Sequence, residues 1–175
     1  MKHFISSQRQ SGSSLIEVMI SIFVMAVGLL GLASLQVNSM KFEKSSSQRA
    51  EASQAAYDLS ERMRANAVNA ALNYSYLADY ATSHVATHTP PNTCNAGVCT
   101  DQQIAANDLA DWLRGLQRRI AGGTGYVAVV PGTSVLTFDV AIMWNEQGLS
   151  VPDANCPAGA AAPVGVRCFV YRVMP

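Results

Sequence analysis

One carboxylate stands in a stretch of chain that holds no other charge. Between Leu15 and Val37 the single ionisable side chain is Glu17, and no Lys or Arg occurs between Arg9 and Lys41. An ionised carboxylate among hydrocarbon groups is costly unless paired, so Glu17 reads as an ion-pairing group that needs a cation. The four cysteines offer a second chemistry. Cys94 and Cys99 enclose a tight turn, and Cys156 and Cys168 bracket a Pro/Gly/Ala loop. Pairing neighbours is the preferred choice among three connectivities. On the chain-entropy account these loops contribute about 2 and about 3 kcal/mol at most. A metal site built from Cys94, Cys99, His84 and His88 is the rival reading. Its spacing is not that of a zinc ribbon, and the thiols of an exported chain tend to oxidise.

The remaining polar residues do not assemble into a catalytic set. His3 lies at the N-terminus, while His84 and His88 fall in a Thr/Ala/Ser-rich loop expected to face solvent. Asp108 and Asp111, three apart on a predicted helix, describe an ordinary solvated face. Gly122-Gly123-Thr124-Gly125 follows a helix and enters a strand. A phosphate loop needs the reverse order, strand then helix, so this is a helix stop and turn. Trp112 and Trp144 sit on the apolar faces of their elements and read as core. No catalytic residue, metal or cofactor is assigned, and the expected protein is not an enzyme.

The element that carries Glu17 is a membrane-length helix. Its twenty-three residues from Leu15 to Val37 span about 35 Å at about 1.5 Å each, enough to cross a hydrocarbon core of about 30 Å. Its thirteen Leu, Ile, Phe and Val residues together favour insertion by about 6 kcal/mol. Glu17 lies near one end, where its opposing cost is well below the midplane value. A secretory signal would be shorter and end in a small-residue cleavage site. Here the run passes directly into a helix-favouring stretch, and the basic residues Lys2 and Arg9 precede it. That layout keeps the N-terminus cytoplasmic and exports the rest.

Past the membrane the same helix is expected to continue from about Ser14 to about Asn69. No Pro occurs before residue 90, and after Gly31 the next Gly is Gly97. Ala52, Ala55, Ala56, Leu59, Met63 and Ala67 follow the i, i+3, i+4 spacing of one face. Asn73 to Pro91 lacks periodicity and reads as a long connection. A second, amphipathic helix is predicted over Asp101–Ile120, with Thr100 and Gln103 at capping-box spacing and Gly122-Gly123 as its stop. The period then changes to that of strands: Tyr126–Val130, Val135–Trp144 and Val166–Val173. The second of these alternates as a half-buried strand, with Leu136, Phe138, Val140, Ile142 and Trp144 on one side.

Gly12 followed by Ser13-Ser14-Leu15-Ile16-Glu17-Val18 and an apolar helix resembles the class III leader of type IV pilins and pseudopilins. The resemblance implies a prepilin peptidase cut between Gly12 and Ser13 on the cytoplasmic face, with N-methylation of Ser13. The family usually has Phe or Met there, and this chain departs from it in having Ser13. It also implies that Glu17 pairs with the N-terminal ammonium of a neighbouring subunit during assembly. Gly28 to Gln36 and Gln54 to Asn66 are similar to the PilV family of minor pilins. The expected organisation is a leader over 1–12, a transmembrane and assembly half-helix over 13–38, and a periplasmic head over 39–175. The expected fold is α+β and pilin-like, a long N-terminal helix on a small antiparallel sheet with a second amphipathic helix. The implied partners are prepilin peptidase, other minor pilins and the major pilin, the inner-membrane assembly platform, and membrane lipid before assembly. The implied location is the bacterial inner membrane and then the pilus.

Composition agrees with an anchored, exported domain. The chain has 175 residues and zero formal net charge. Without its first twelve residues ten basic face twelve acidic side chains, which gives no basic footprint for nucleic acid. Two alternatives share these features: a minor pseudopilin of type II secretion, and a membrane-tethered periplasmic adhesin or binding domain.

Overall fold

A computed structural model describes residues 14–66, 71–91, 94 and 98–175. Contacts divide the chain into two units, Met1–Lys44 and Ser45–Pro175. The N-terminal unit contributes the first part of helix α1, which runs Leu15–Ala65. Its side chains there are exposed along the whole apolar run. It is the one helix among the described residues long and apolar enough to cross a membrane.

From Ser45 onward the periodicity of α1 becomes amphipathic. Ala52, Ala55, Ala56, Leu59 and Met63 are fully buried. The α-helix repeat brings them onto one stripe, and the three alanines let neighbouring layers approach closely. Facing them are helix α3 (Asp101–Arg119) and a three-stranded antiparallel sheet. Its strands β1 (Thr124–Val129), β2 (Phe138–Asn145) and β3 (Val166–Val173) lie in the order β1-β2-β3. Pairing registers set Val127 opposite Val140 and Ile142 opposite Phe169. The core gathers Leu109, Trp112, Leu113 and Leu116 of α3 with Phe138, Val140, Ile142 and Trp144 of β2. Trp112 donates its indole N–H to the Ala55 carbonyl at 2.8 Å, tying α3 to α1. The fold is the α+β, pilin-like arrangement expected.

Local chemistry explains where α3 begins and ends. The Gln103 amide donates to the Thr100 hydroxyl at 3.3 Å, and the Thr100 amide donates to the Gln103 side chain at 2.9 Å. This reciprocal pair satisfies two N–H groups that the first turn leaves open. Past the C-terminus Gly122 adopts φ +66°, a left-handed conformation that a side chain would oppose. Gly125, on β1, lies under the Trp112 ring, and a Cβ there would overlap it.

Four expectations need correction. The second strand begins at Phe138, not Val135, because Val135–Thr137 turn, with the Thr137 hydroxyl donating to the Val135 carbonyl at 2.8 Å. Nor is that strand half-buried: Ala141 and Met143 on its far face are as buried as Val140 and Ile142. Tyr80, Tyr126, Ala160 and Cys168 cover that face. The span 73–91 is not a structureless connection. A 3-10 turn (Ala71–Tyr74) and a short helix α2 (Tyr80–Ser83) lie along it. Tyr76 exchanges two backbone hydrogen bonds of 2.8 Å with Val127. Finally, α1 ends at Ala65, and Asn69 lies outside the described residues.

Candidate assembly helix and head

Glu17 sits in the first turn of α1. The Glu17 and Val18 amides donate to the Ser14 carbonyl at 2.9 and 3.3 Å, and Ser21 returns its hydroxyl to the Glu17 carbonyl at 2.8 Å. These bonds satisfy the backbone but leave the carboxylate of Glu17 without a hydrogen bond or ion pair among the described residues. A carboxylate in a first helical turn gains about 0.3–1 kcal/mol from the helix dipole. The cost of about 2.5–3.5 kcal/mol on insertion scales applies at the bilayer centre and is smaller at this end of the helix. Once the helix leaves lipid for an apolar protein interior, the dipole does not replace a cation for this carboxylate.

Apart from Ser14 and Ser21, the helical surface around Glu17 is apolar. Leu15, Phe23, Met25 and Leu30 are each more than two-thirds exposed. A Cβ built at Gly28 or Gly31 would meet nothing within 4 Å. Such a surface is compatible with lipid, and equally with the apolar helices of neighbouring subunits. Gly12 and Ser13, the expected cleavage and methylation positions, lie outside the described residues.

In the head the cysteines pair as neighbours, Cys94 with Cys99 and Cys156 with Cys168. The metal-site alternative therefore has no thiolate to offer. His84 and His88 correct the expectation of solvent exposure. Both are half-buried. His84 donates from Nδ1 to the Tyr80 carbonyl at 2.7 Å and stacks on the Tyr80 ring, and His88 donates from Nε2 to the Ser83 carbonyl at 3.1 Å. Both imidazoles are thus used within the segment around α2, holding it folded on itself.

Asp108 also departs from its reading as part of a solvated face. Its two oxygens accept from the Tyr74 hydroxyl at 2.7 Å and from the Arg62 guanidinium at 3.1 Å. Burial and this bond push the Tyr74 phenol well above its ordinary range. Asp108 therefore clamps α1, α3 and the 3-10 turn together. A second clamp joins α1 to the sheet. Glu146 accepts from Ser45 at 2.9 Å and from Arg167 at 2.6 Å. Burial alone would raise the Glu146 carboxyl, but the bonds from Arg167 and Ser45 outweigh it and hold the group below its usual range. Asp153 behaves alike: burial opposes ionisation, and the amides of Asn155 and Cys168 with the charge of Arg167 overcome it. Sequence reasoning missed these acids because their partners are distant in sequence.

The chain joins an apolar helical segment to a packed head. Comparison with known families agrees. Residues 7–33 match the family model described as the prokaryotic N-terminal methylation motif, and residues 34–110 match the one described as type IV pilin Tt1218. No curated protein and no solved structure matches the chain. The methylation motif and the apolar helix both indicate membrane anchoring, and pilins are structural subunits. From residue 7 to residue 110 the chain carries the methylation motif followed by a type IV pilin region of the Tt1218 kind.

Proposed function

We propose that this protein is a minor pilin of the PilV kind, made as a membrane-anchored prepilin that takes part in type IV pilus biogenesis. Prepilin peptidase cuts between Gly12 and Ser13 on the cytoplasmic side, and the new N-terminus at Ser13 is methylated. The segment 13–38 then holds the subunit in the inner membrane, with the head from residue 39 in the periplasm. On engagement by the assembly platform, the apolar helix leaves lipid and packs among the helices of the major pilin and other minor pilins.

The observation that carries this reading is the Glu17 carboxylate, without a partner among the described residues, on an otherwise uncharged and exposed helical surface. In the membrane it lies near the headgroup level. Inside a fibre it has no headgroups to reach, and an N-terminal ammonium from a neighbour supplies the missing charge. The pairing sets the axial register of the incoming subunit. Loss of one charge-assisted bond corresponds to about tenfold or more in an assembly equilibrium. Glu17→Ala is therefore expected to leave cleavage intact and to deplete the subunit from sheared pili. Equal recovery of mutant and wild type in the sheared fraction would reject the proposal.

A further inference from the structure

The three-stranded sheet has two edges, and they are finished differently. On β1 the exchange of hydrogen bonds between Tyr76 and Val127 closes the edge at its middle. On β3 the backbone N–H of Val166 donates to the Pro163 carbonyl at 3.2 Å, and that of Cys168 donates to the Asp153 carboxylate at 3.1 Å. Both groups therefore point away from β2. Strand geometry alternates with a period of two, so Val170 and Arg172 direct their backbone groups the same way. Neither amide meets an acceptor among the described residues. The N-terminal half of this edge is capped and its C-terminal half is open, with Val170 37% exposed.

A cleft of about 470 Å³ lies against the same strand, with Arg49, Trp144, Asn155, Arg167, Phe169 and Val170 in its lining. Its cations are not equivalent. Arg167 is held by Glu146 at 2.6 Å and by Asp153 at 3.6 Å. Beyond the cleft, Arg172 is held by Asp139 through two bonds of 2.8 and 2.9 Å. Arg49 is exposed and has no hydrogen bond or ion pair among the described residues, acting on Glu146 only at longer range. An open strand edge beside an uncommitted guanidinium asks for two things at once: a strand and a carboxylate.

We propose that the open half of β3 receives an extended segment of a partner protein, paired to Val170 and Arg172 through its backbone and bonded to Arg49 through an acidic side chain. Strand addition of this type draws affinity from main-chain hydrogen bonds and specificity from side chains along the groove. A second copy of β3 is the wrong occupant. Its sequence, VRCFVYRV, contains two arginines and no acid, so it has no carboxylate to offer Arg49. The site is separate from Glu17 and does not depend on the role assigned to that residue.

The test uses the full chain in detergent micelles and a capped hexapeptide probe, Thr-Val-Glu-Val-Thr-Val. Binding is followed by fluorescence titration, and amide exchange at Val170 and Arg172 by NMR. The probe is expected to bind and to slow exchange at those two amides. Val170→Pro removes an N–H that makes no contact with β2, a position where an edge strand tolerates proline, and is expected to abolish binding. Arg49→Glu leaves the strand untouched and is expected to weaken binding about tenfold, the scale of one charge-assisted hydrogen bond. Replacing the probe's Glu by Lys restores affinity for that variant. The proposal is overturned by absence of binding, by binding that leaves the two amides unprotected, or by glutarate binding as tightly as the peptide. Protection of the amides by self-association without the probe overturns it equally.

Discussion

The same substitution, glycine to alanine, is expected to have opposite effects at two positions of the head. Gly125 pairs with Ile142 on β2 and lies beneath Trp112, whose ring a new Cβ would overlap, with Leu113 Cδ2 at 3.3 Å beside it. Trp112 is 1% exposed and is pinned to the Ala55 carbonyl at 2.8 Å. The ring must therefore shift within a filled core. Overpacking costs about 1–3 kcal/mol, and release of the indole bond adds about 1 kcal/mol. Gly115 lies inside α3, where a Cβ would meet only Arg119 Nη2 at an ordinary 3.5 Å. Alanine there gains helix propensity of about 0.8–1 kcal/mol. Urea denaturation of the two variants, followed by circular dichroism and tryptophan fluorescence, separates them. With an m-value of about 2 kcal/mol/M, Gly125→Ala is expected to lower the midpoint by about 1–2 M and Gly115→Ala to raise it by about 0.5 M. A Gly125→Ala protein at least as stable as wild type would refute the packing of Trp112 over β1.

Three further outcomes follow from the clamps and bridges. Asp108→Ala removes the acceptor shared by Tyr74 and Arg62, leaving Arg62 its pair with Asp58 at 3.1 Å and the Tyr74 hydroxyl its longer bond of 3.3 Å to the Arg62 carbonyl. It is expected to cost about 1–2 kcal/mol in urea denaturation, with faster hydrogen exchange across residues 71–74. Reduction with dithiothreitol opens loops with sequence separations of 5 and 12. Because the longer loop carries the larger entropic share, the variant lacking Cys156–Cys168 is expected to denature earlier than the one lacking Cys94–Cys99. Acid sensitivity has a definite sign. Glu146 and Asp153 are held below their ordinary values, so the stability they supply is present above the unfolded carboxylate range. It is lost as pH falls through their folded values. The denaturation midpoint should be level from neutral pH to about pH 5 and fall below about pH 4, with a shallower acid limb in Glu146→Gln.

What could be read beforehand follows the range of the interactions involved. The limits of α3 and of β3 depend on neighbours in sequence: a Thr100–Gln103 box, a glycine stop, and uninterrupted alternation from Val166 to Val173. These were legible. The anchor helix with its solitary Glu17 was legible for the same reason, since hydrophobicity and a single charge are properties of one short segment. The span 73–91 was not. It is anchored by single residues, Tyr74 to Asp108 and Tyr76 to Val127, whose partners are 34 and 51 positions away, and no local period announces such contacts. The buried far face of β2 was hidden likewise, because what covers it comes from Tyr80 and from the loop closed by Cys156 and Cys168. The cleft beside Arg49 joins α1 to an edge strand more than a hundred residues later, beyond any pattern in the chain itself.

A pilin role requires the apolar helix to remain part of the working subunit. Intact-mass spectrometry of the protein recovered from sheared fibres tests this most directly. The expected species begins at Ser13, carries the whole helix with Glu17, and bears both disulfides and a methylated N-terminus. A recovered head that begins beyond residue 38 would contradict it.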